Sequence, residues 1–231
     1  MDIGKSLTYL TEDERWVMKL LIALAMSFFT FLIIPAIILN GYIIAIARNV
    51  MNGVEKPLPE WEDWGGFLRD GFNLFVAILV YTLPFWLLMC IVGISTIGFS
   101  GLSEVSEDAA AAGFLATFGL VGCLSLLFLL ALLFVNPAVI VQYLRHNNLG
   151  ACFRFGEVLG IVRDHISDIA IVVGIMFAVI FVSGLIANIP CIGWIIGLLI
   201  GPYLAVVSGH LYGQIAAKAG GGMSKEEKFA A

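Results

Sequence analysis

The chain has 231 residues, of which 61% are apolar and only 12 are basic and 17 acidic, and its mean hydropathy is +1.01. A soluble domain is nearer roughly 45–50% apolar, so this composition excludes a globular fold in water, which would leave too much apolar surface exposed. The net charge of −5 is dispersed, and the lack of a basic tract excludes nucleic acid as a partner.

The first fifteen residues carry Asp2, Lys5, Glu12, Asp13, Glu14 and Arg15. A cleaved signal peptide would instead have a basic start and a short apolar core, so the first span is expected to be retained. Charge-free stretches follow at 20–47, 71–103, 109–144 and 169–217. A helix needs about 20 residues to cross a hydrocarbon layer roughly 30 Å thick, so each stretch can cross once and the last one twice. Helices are predicted at 17–47, 72–98, 112–144, 169–187 and 192–217. Pro35, Pro84 and Pro137 fall inside the first three. Each proline removes a helical hydrogen bond, so those segments are expected to be kinked or tilted, or to fold back as a re-entrant hairpin. Asn188-Ile189-Pro190-Cys191 is expected to form a tight turn between the last two helices.

The basic residues fall into four groups, at the N-terminus, in the loops after the first and third spans, and at the C-terminus. With five spans, the positive-inside rule predicts N-out and C-in; the three basic residues at the N-terminus favour instead an N-in chain with six spans.

Trp61-Glu62-Asp63-Trp64-Gly65-Gly66-Phe67-Leu68-Arg69-Asp70 aligns without gaps with Phe155-Gly156-Glu157-Val158-Leu159-Gly160-Ile161-Val162-Arg163-Asp164. Upstream, Pro35-Ala36-Ile37-Ile38 and Tyr42 are echoed by Pro137-Ala138-Val139-Ile140 and Tyr143. These echoes predict one integral membrane domain, 1–231, with approximate repeat units 17–98 and 112–187 and a fifth helix at 192–217. In each copy the apolar residues recur on one helical face, Trp61, Trp64, Leu68 and Phe72 or Phe155, Val158, Val162 and Ile166. Such segments are expected to lie along the membrane surface, with Trp61 and Trp64 as interface residues. Asp63, Arg69 and Asp70, with Glu157, Arg163 and Asp164, are candidates for a structural or gating charge set that joins the copies. The fold class is thus an all-α polytopic transmembrane bundle with internal duplication and interfacial amphipathic helices.

In the last helix Gly193, Gly197, Gly201, Gly209 and Gly213 form a small-residue ridge suited to close helix packing. No Asp, Glu, Lys or Arg lies in the predicted membrane core. The polar groups there are neutral: Asn40, Thr82, Asn136, Gln142, Ser183 and Ser208, with His210 near an end. Cys90, Cys123, Cys152 and Cys191 are widely spaced and read as packing residues. No nucleophile and base set, metal cluster or phosphate-binding glycine motif is legible, so the sequence assigns no catalytic, metal or cofactor residue.

Gly41-Tyr42, Arg48, Asn52-Gly53, Leu58-Pro59-Glu60-Trp61-Glu62-Asp63-Trp64 and Arg69-Asp70-Gly71 together resemble the hallmark of the domain of unknown function 4013 family. The resemblance implies a prokaryotic, often archaeal, membrane protein with no established activity. Two functions are expected: a structural or accessory subunit of the cell membrane, with a membrane-protein partner or a second copy, and a channel or transporter for a small neutral or lipidic solute. The second requires a polar cavity lined by groups such as Asn40, Asn136 and Gln142.

Overall fold

The computed structural model describes the backbone of residues 1–102, 107–186 and 192–220, and side chains over the same residues except 99–102, 107, 109–110 and 192–198. Every regular element among them is helical: α1 (Ile3–Thr8), α2 (Trp16–Phe28), α3 (Ile34–Met51), α4 (Trp64–Leu102), α5 (Glu107–His146), α6 (Leu149–Cys152), α7 (Phe155–Asp164), α8 (Ile166–Ile186) and α9 (Ile192–Lys218). Four of these, in α3, α4, α5 and α8, are long and apolar enough to cross a membrane. The chain is therefore an all-α, multi-pass membrane protein.

The expected first span, 17–47, is corrected to two helices. Pro35 has no N–H and its ring would collide with the carbonyl four residues earlier, so a continuous helix through 31–35 is disfavoured. The chain instead stops at Phe28, makes a single 3-10 turn over Thr30–Leu32, and passes through Ile33 at φ 62° before α3 begins with Pro35 in its first turn. A β-branched residue in the left-handed region is strained by roughly 1–3 kcal/mol. The 13 residues of α2 rise only about 20 Å, too short to cross alone. α2 and α3 pack on each other and both pack on α9, so this segment is a helical hairpin.

Pro84, Pro137 and Pro202, in contrast, lie inside α4, α5 and α9, which continue past them. The first expected surface segment also differs. Trp61 lies before the helix, and the residues from Trp64 onward are the opening turns of the 39-residue α4. Its counterpart α7 is a separate 10-residue helix, set off from α8 at His165.

Two compact units are present, Met1–Ala77 with Phe134–Ala231, and Ile78–Leu133. The second consists of the arms of α4 and α5, which expose Trp86, Leu87, Ile94, Ile97, Leu115, Leu120 and Leu127. Exposed apolar side chains at this density suit lipid as solvent. The first unit has a core of Tyr9, Leu10, Ala23, Tyr42, Ile46, Leu58, Trp61, Phe67 and Val206.

Glycines set the closest approaches in that unit. A Cβ on Gly213 would lie 2.4 Å from the Ala47 carbonyl oxygen and 2.6 Å from Val50 Cβ, and one on Gly209 would lie 3.0 Å from the Ile43 carbonyl oxygen. These two are the contact of α9 with α3, as the small-residue ridge suggests. Gly201, on the same ridge, faces open space within 4 Å, while the side-chain positions of Gly193 and Gly197 lie outside the described residues. Gly213→Leu is therefore expected to lower the thermal unfolding midpoint in detergent strongly and Gly201→Leu hardly at all. Equal effects would refute this contact.

Candidate functional site

Asp70 is the most enclosed of the six candidate charges, with 3% of its surface exposed. Its carboxylate pairs with Arg48 of α3 at 2.8 Å, and Tyr143 of α5 donates its hydroxyl at 2.9 Å. Asn73 Nδ2 donates to that hydroxyl at 3.1 Å, and Arg48 donates a second bond to Asn147 Oδ1 at 2.8 Å. One carboxylate thus ties three helices together. Arg69 touches Asp70 at 3.4 Å but is largely exposed, so it is the lesser partner.

The helices reach this point through glycine. A Cβ on Gly71 would fall 1.8 Å from the Ile37 carbonyl oxygen, and one on Gly41 would fall 1.8 Å from the Phe67 carbonyl oxygen. The backbones of α3 and α4 are in direct contact there, and only hydrogen fits at either position.

The other predicted residues have separate places. Asp63 precedes α4, and its Oδ1 accepts the N–H of Gly66 at 2.8 Å, as an N-cap does. Glu157 on α7 accepts from Gln142 Nε2 and from Arg154, and these bonds hold its carboxyl below the usual range. Arg163 and Asp164 pair with each other at 3.3 Å and are both exposed. None of the second set meets the first; it is Tyr143, on α5 ahead of the second segment, that reaches Asp70. Trp61 is buried, stacked on Tyr42 at 4.1 Å with the rings 9° apart, and its Nε1 donates to the Lys19 carbonyl at 3.2 Å. Trp64 is 41% exposed.

Three further groups lie outside the six candidate charges. Lys19 is buried and donates to Asp13 at 2.7 Å and to the Leu58 carbonyl at 2.9 Å, with Glu60 at 3.0 Å. Burial alone would raise the Asp13 carboxyl, but the Lys19 ammonium and the Arg15 N–H outweigh it and leave the group below its ordinary value. The residues between Asn52 and Trp61 also have a structural function. Gly53, at φ 72°, donates to the Val50 carbonyl while Val54 donates to that of Asn49, a Schellman stop that turns the chain out of α3. At the N-terminus, Gln214 Nε2 donates to His210 Nδ1 at 3.0 Å, Ser6 Oγ meets the same nitrogen at 2.8 Å, and the Asp2 N–H donates to Gln214 Oε1 at 2.7 Å.

These contacts form one polar layer. Arg15 with Glu60 and Lys56 with Glu14 join the N-terminus to the loop after α3; Asp2 joins it to the end of α9; Arg48 joins α3 to Asn147; and Lys218 joins α9 to Asp168 at 2.8 Å. Arg15, Arg48, Lys56 and Lys218 thus join separate segments in this layer, while Lys225 and Lys228 lie outside the described residues.

The neutral polar groups of the helices are mostly satisfied by their own backbone. Asn40 donates to the Ala36 carbonyl, Thr82 to Leu79, Ser183 to Val179 and Ser208 to Ala205. Asn136 Oδ1 and Gln142 Oε1 are buried and unpartnered. No group of His, Cys, Asp and Glu among the described residues has a geometry that would hold a metal ion.

The family described as "Protein of unknown function (DUF4013)" matches residues 26–192. No curated protein and no solved structure matches the chain.

Proposed function

Because the chain belongs to the DUF4013 family, whose function is unknown, no activity is inherited from its relatives, and we propose a structural or accessory membrane subunit. The observation that supports this reading most is how the polar groups are used. Those on the helices bond to their own helical turns or are enclosed in protein, and those in the ionic layer mostly bond to each other. A solute path needs polar groups free to line it. Asn40, which a transporter would need in a cavity wall, has its amide on Ala36.

The subunit reading implies a membrane-protein partner or a second copy. Purification in mild detergent is expected to yield a complex of one reproducible size well above the 25.0 kDa of the chain. A lone monomer in several detergents would overturn it, and so would solute flux through reconstituted vesicles.

The proposed orientation has both ends in the cytoplasm. The bonds from Asp2 to Gln214 and from Arg15 to Glu60 support it, since bonded groups must share a side of the membrane. With α2 and α3 as a re-entrant pair, all four basic groups then obey the positive-inside rule, which the N-out arrangement leaves one group violating. Single cysteines at Thr11 and Lys56, both exposed, in a cysteine-free variant should both resist an impermeant maleimide in intact cells and react after lysis. Labelling of the Thr11 position alone in intact cells would refute the shared side.

An internal duplication remains the proposed origin. Support comes from the paired tyrosines, both buried and both bonded through their hydroxyls, Tyr42 to the Pro59 carbonyl and Tyr143 to Asp70. α7, which exposes Phe155 and Leu159 on one face, is proposed to lie in the headgroup zone.

A further inference from the structure

The ionic layer is paired almost throughout, and the exceptions are informative. Arg15, Lys19, Arg48, Lys56, Arg69, Arg154, Arg163 and Lys218 each have a carboxylate within 4.0 Å. Among the described residues that leaves Lys5 and Arg145. Lys5 lines a cleft that also holds Asp2 and Glu55, whose carboxylates balance it. Arg145 lines a different cleft, of about 440 Å³, at the junction of α5 and α7.

One wall of that cleft is a single face of α7, with Glu157, Gly160, Ile161 and Asp164 recurring at helical spacing. The two carboxylates there are already held, Glu157 by Gln142 and Arg154, and Asp164 by Arg163. The guanidinium of Arg145 is thus excess charge. His146 stands beside it, its Nδ1 bonded to the Gln142 carbonyl at 3.3 Å. His165 and Ala219 complete the lining, and no side chain fills the space over Gly160, where a Cβ would meet nothing within 4 Å.

We propose that this cleft binds a phosphate group, with the Arg145 guanidinium as its principal contact. A planar guanidinium with several free N–H donors matches phosphate oxygens in pairs, which a lysine does not. The phosphate can be that of a soluble ion or of a lipid headgroup, since the cleft lies in the layer next to α7. Binding here is independent of the subunit role: association with a partner can fail while phosphate binding holds, and the reverse.

The test uses the full chain in neutral detergent, with the unfolding midpoint followed against inorganic phosphate at matched ionic strength in chloride, short-chain phosphatidic acid, and short-chain diacylglycerol. Phosphate or phosphatidic acid is expected to raise the midpoint. Arg145→Gln should weaken that binding about tenfold or more, while Lys56→Gln, which alters an exposed pair away from the cleft, should not. Arg145 is exposed, so the unliganded variant should melt as the parent does, which separates lost binding from lost folding. Response to phosphatidic acid alone assigns a lipid source, and response to both ligands, or to inorganic phosphate alone, assigns the phosphate ion itself. Equal stabilisation by diacylglycerol, no response to either phosphate ligand, or a response that survives Arg145→Gln would overturn the proposal.

Discussion

Gly71→Ala, together with Gly41→Ala, is expected to produce the largest loss of stability of any glycine-to-alanine change among the described residues. At Gly71 the added carbon would stand 1.8 Å from the Ile37 carbonyl oxygen and 2.9 Å from the Gly41 nitrogen, both of them backbone atoms that no rotamer change can move. The two helices must separate, and the Asp70 network one residue away separates with them. Overpacking of a well-fitted core costs about 1–3 kcal/mol, and a clash with fixed backbone belongs at or above the upper end. Gly93→Ala and Gly174→Ala are the controls, because both positions are helical and open. There alanine should be neutral or stabilise by up to about 1 kcal/mol through helix propensity. Unfolding midpoints in one detergent read the difference; a Gly71→Ala protein as stable as these controls would mean that α3 and α4 do not touch at this point.

Loss of Arg48 should be nearly as severe. Asp70 is almost fully enclosed, and removing the cation leaves a buried carboxylate with Tyr143 and the exposed Arg69 as its remaining partners. Breaking such a pair from one side costs about 3–5 kcal/mol, because the uncompensated charge stays in the interior. Arg48→Met is therefore expected to destabilise strongly, and Asp70→Asn added to it should recover much of the loss. Arg69→Ala, at the exposed end of the same carboxylate, should change stability by less than about 1 kcal/mol. Were Arg69→Ala as damaging as Arg48→Met, the assignment of partners would be reversed.

Much of this architecture was legible in the sequence, and the failures have physical causes. Charge-free runs located the membrane-crossing helices because hydrophobic length is read directly from composition. They could not show where α2 ends, because Phe28 to Ile34 is as apolar as its flanks; only the ring of Pro35 marks the break, and Pro84, Pro137 and Pro202 bear the same mark without breaking their helices. Asp70 was legible as a candidate, but Arg48 as its partner was not, since 22 positions separate them and pairing across helices leaves no spacing pattern. Trp61 was assigned by composition to the bilayer surface, whereas its ring stacks on Tyr42 inside the protein. The residues that resemble the family hallmark gain a reason from the structure: Gly41 abuts Phe67, Gly71 abuts Ile37, Tyr42 stacks on Trp61, Arg48 holds Asp70, and Glu60 and the Leu58 carbonyl hold Lys19. Two of these contacts, Tyr42 on Trp61 and Arg48 on Asp70, join hallmark residues to each other. The glycine ridge of α9 was legible only in part, because spacing gives the ridge but not how far a neighbour runs along it.

The proposed orientation bears on how the chain is inserted. In the proposed orientation, with both ends inside the cell, the only formal charges that would travel outward during synthesis are Glu104, Glu107 and Asp108, at the junction of α4 and α5, and residues 187–191 carry none. A cell interior held negative drives anions outward, at about 2.3 kcal/mol per charge for each 100 mV. In that orientation, export of the one short acidic segment would be assisted by the resting voltage, and no lysine or arginine would have to move against it.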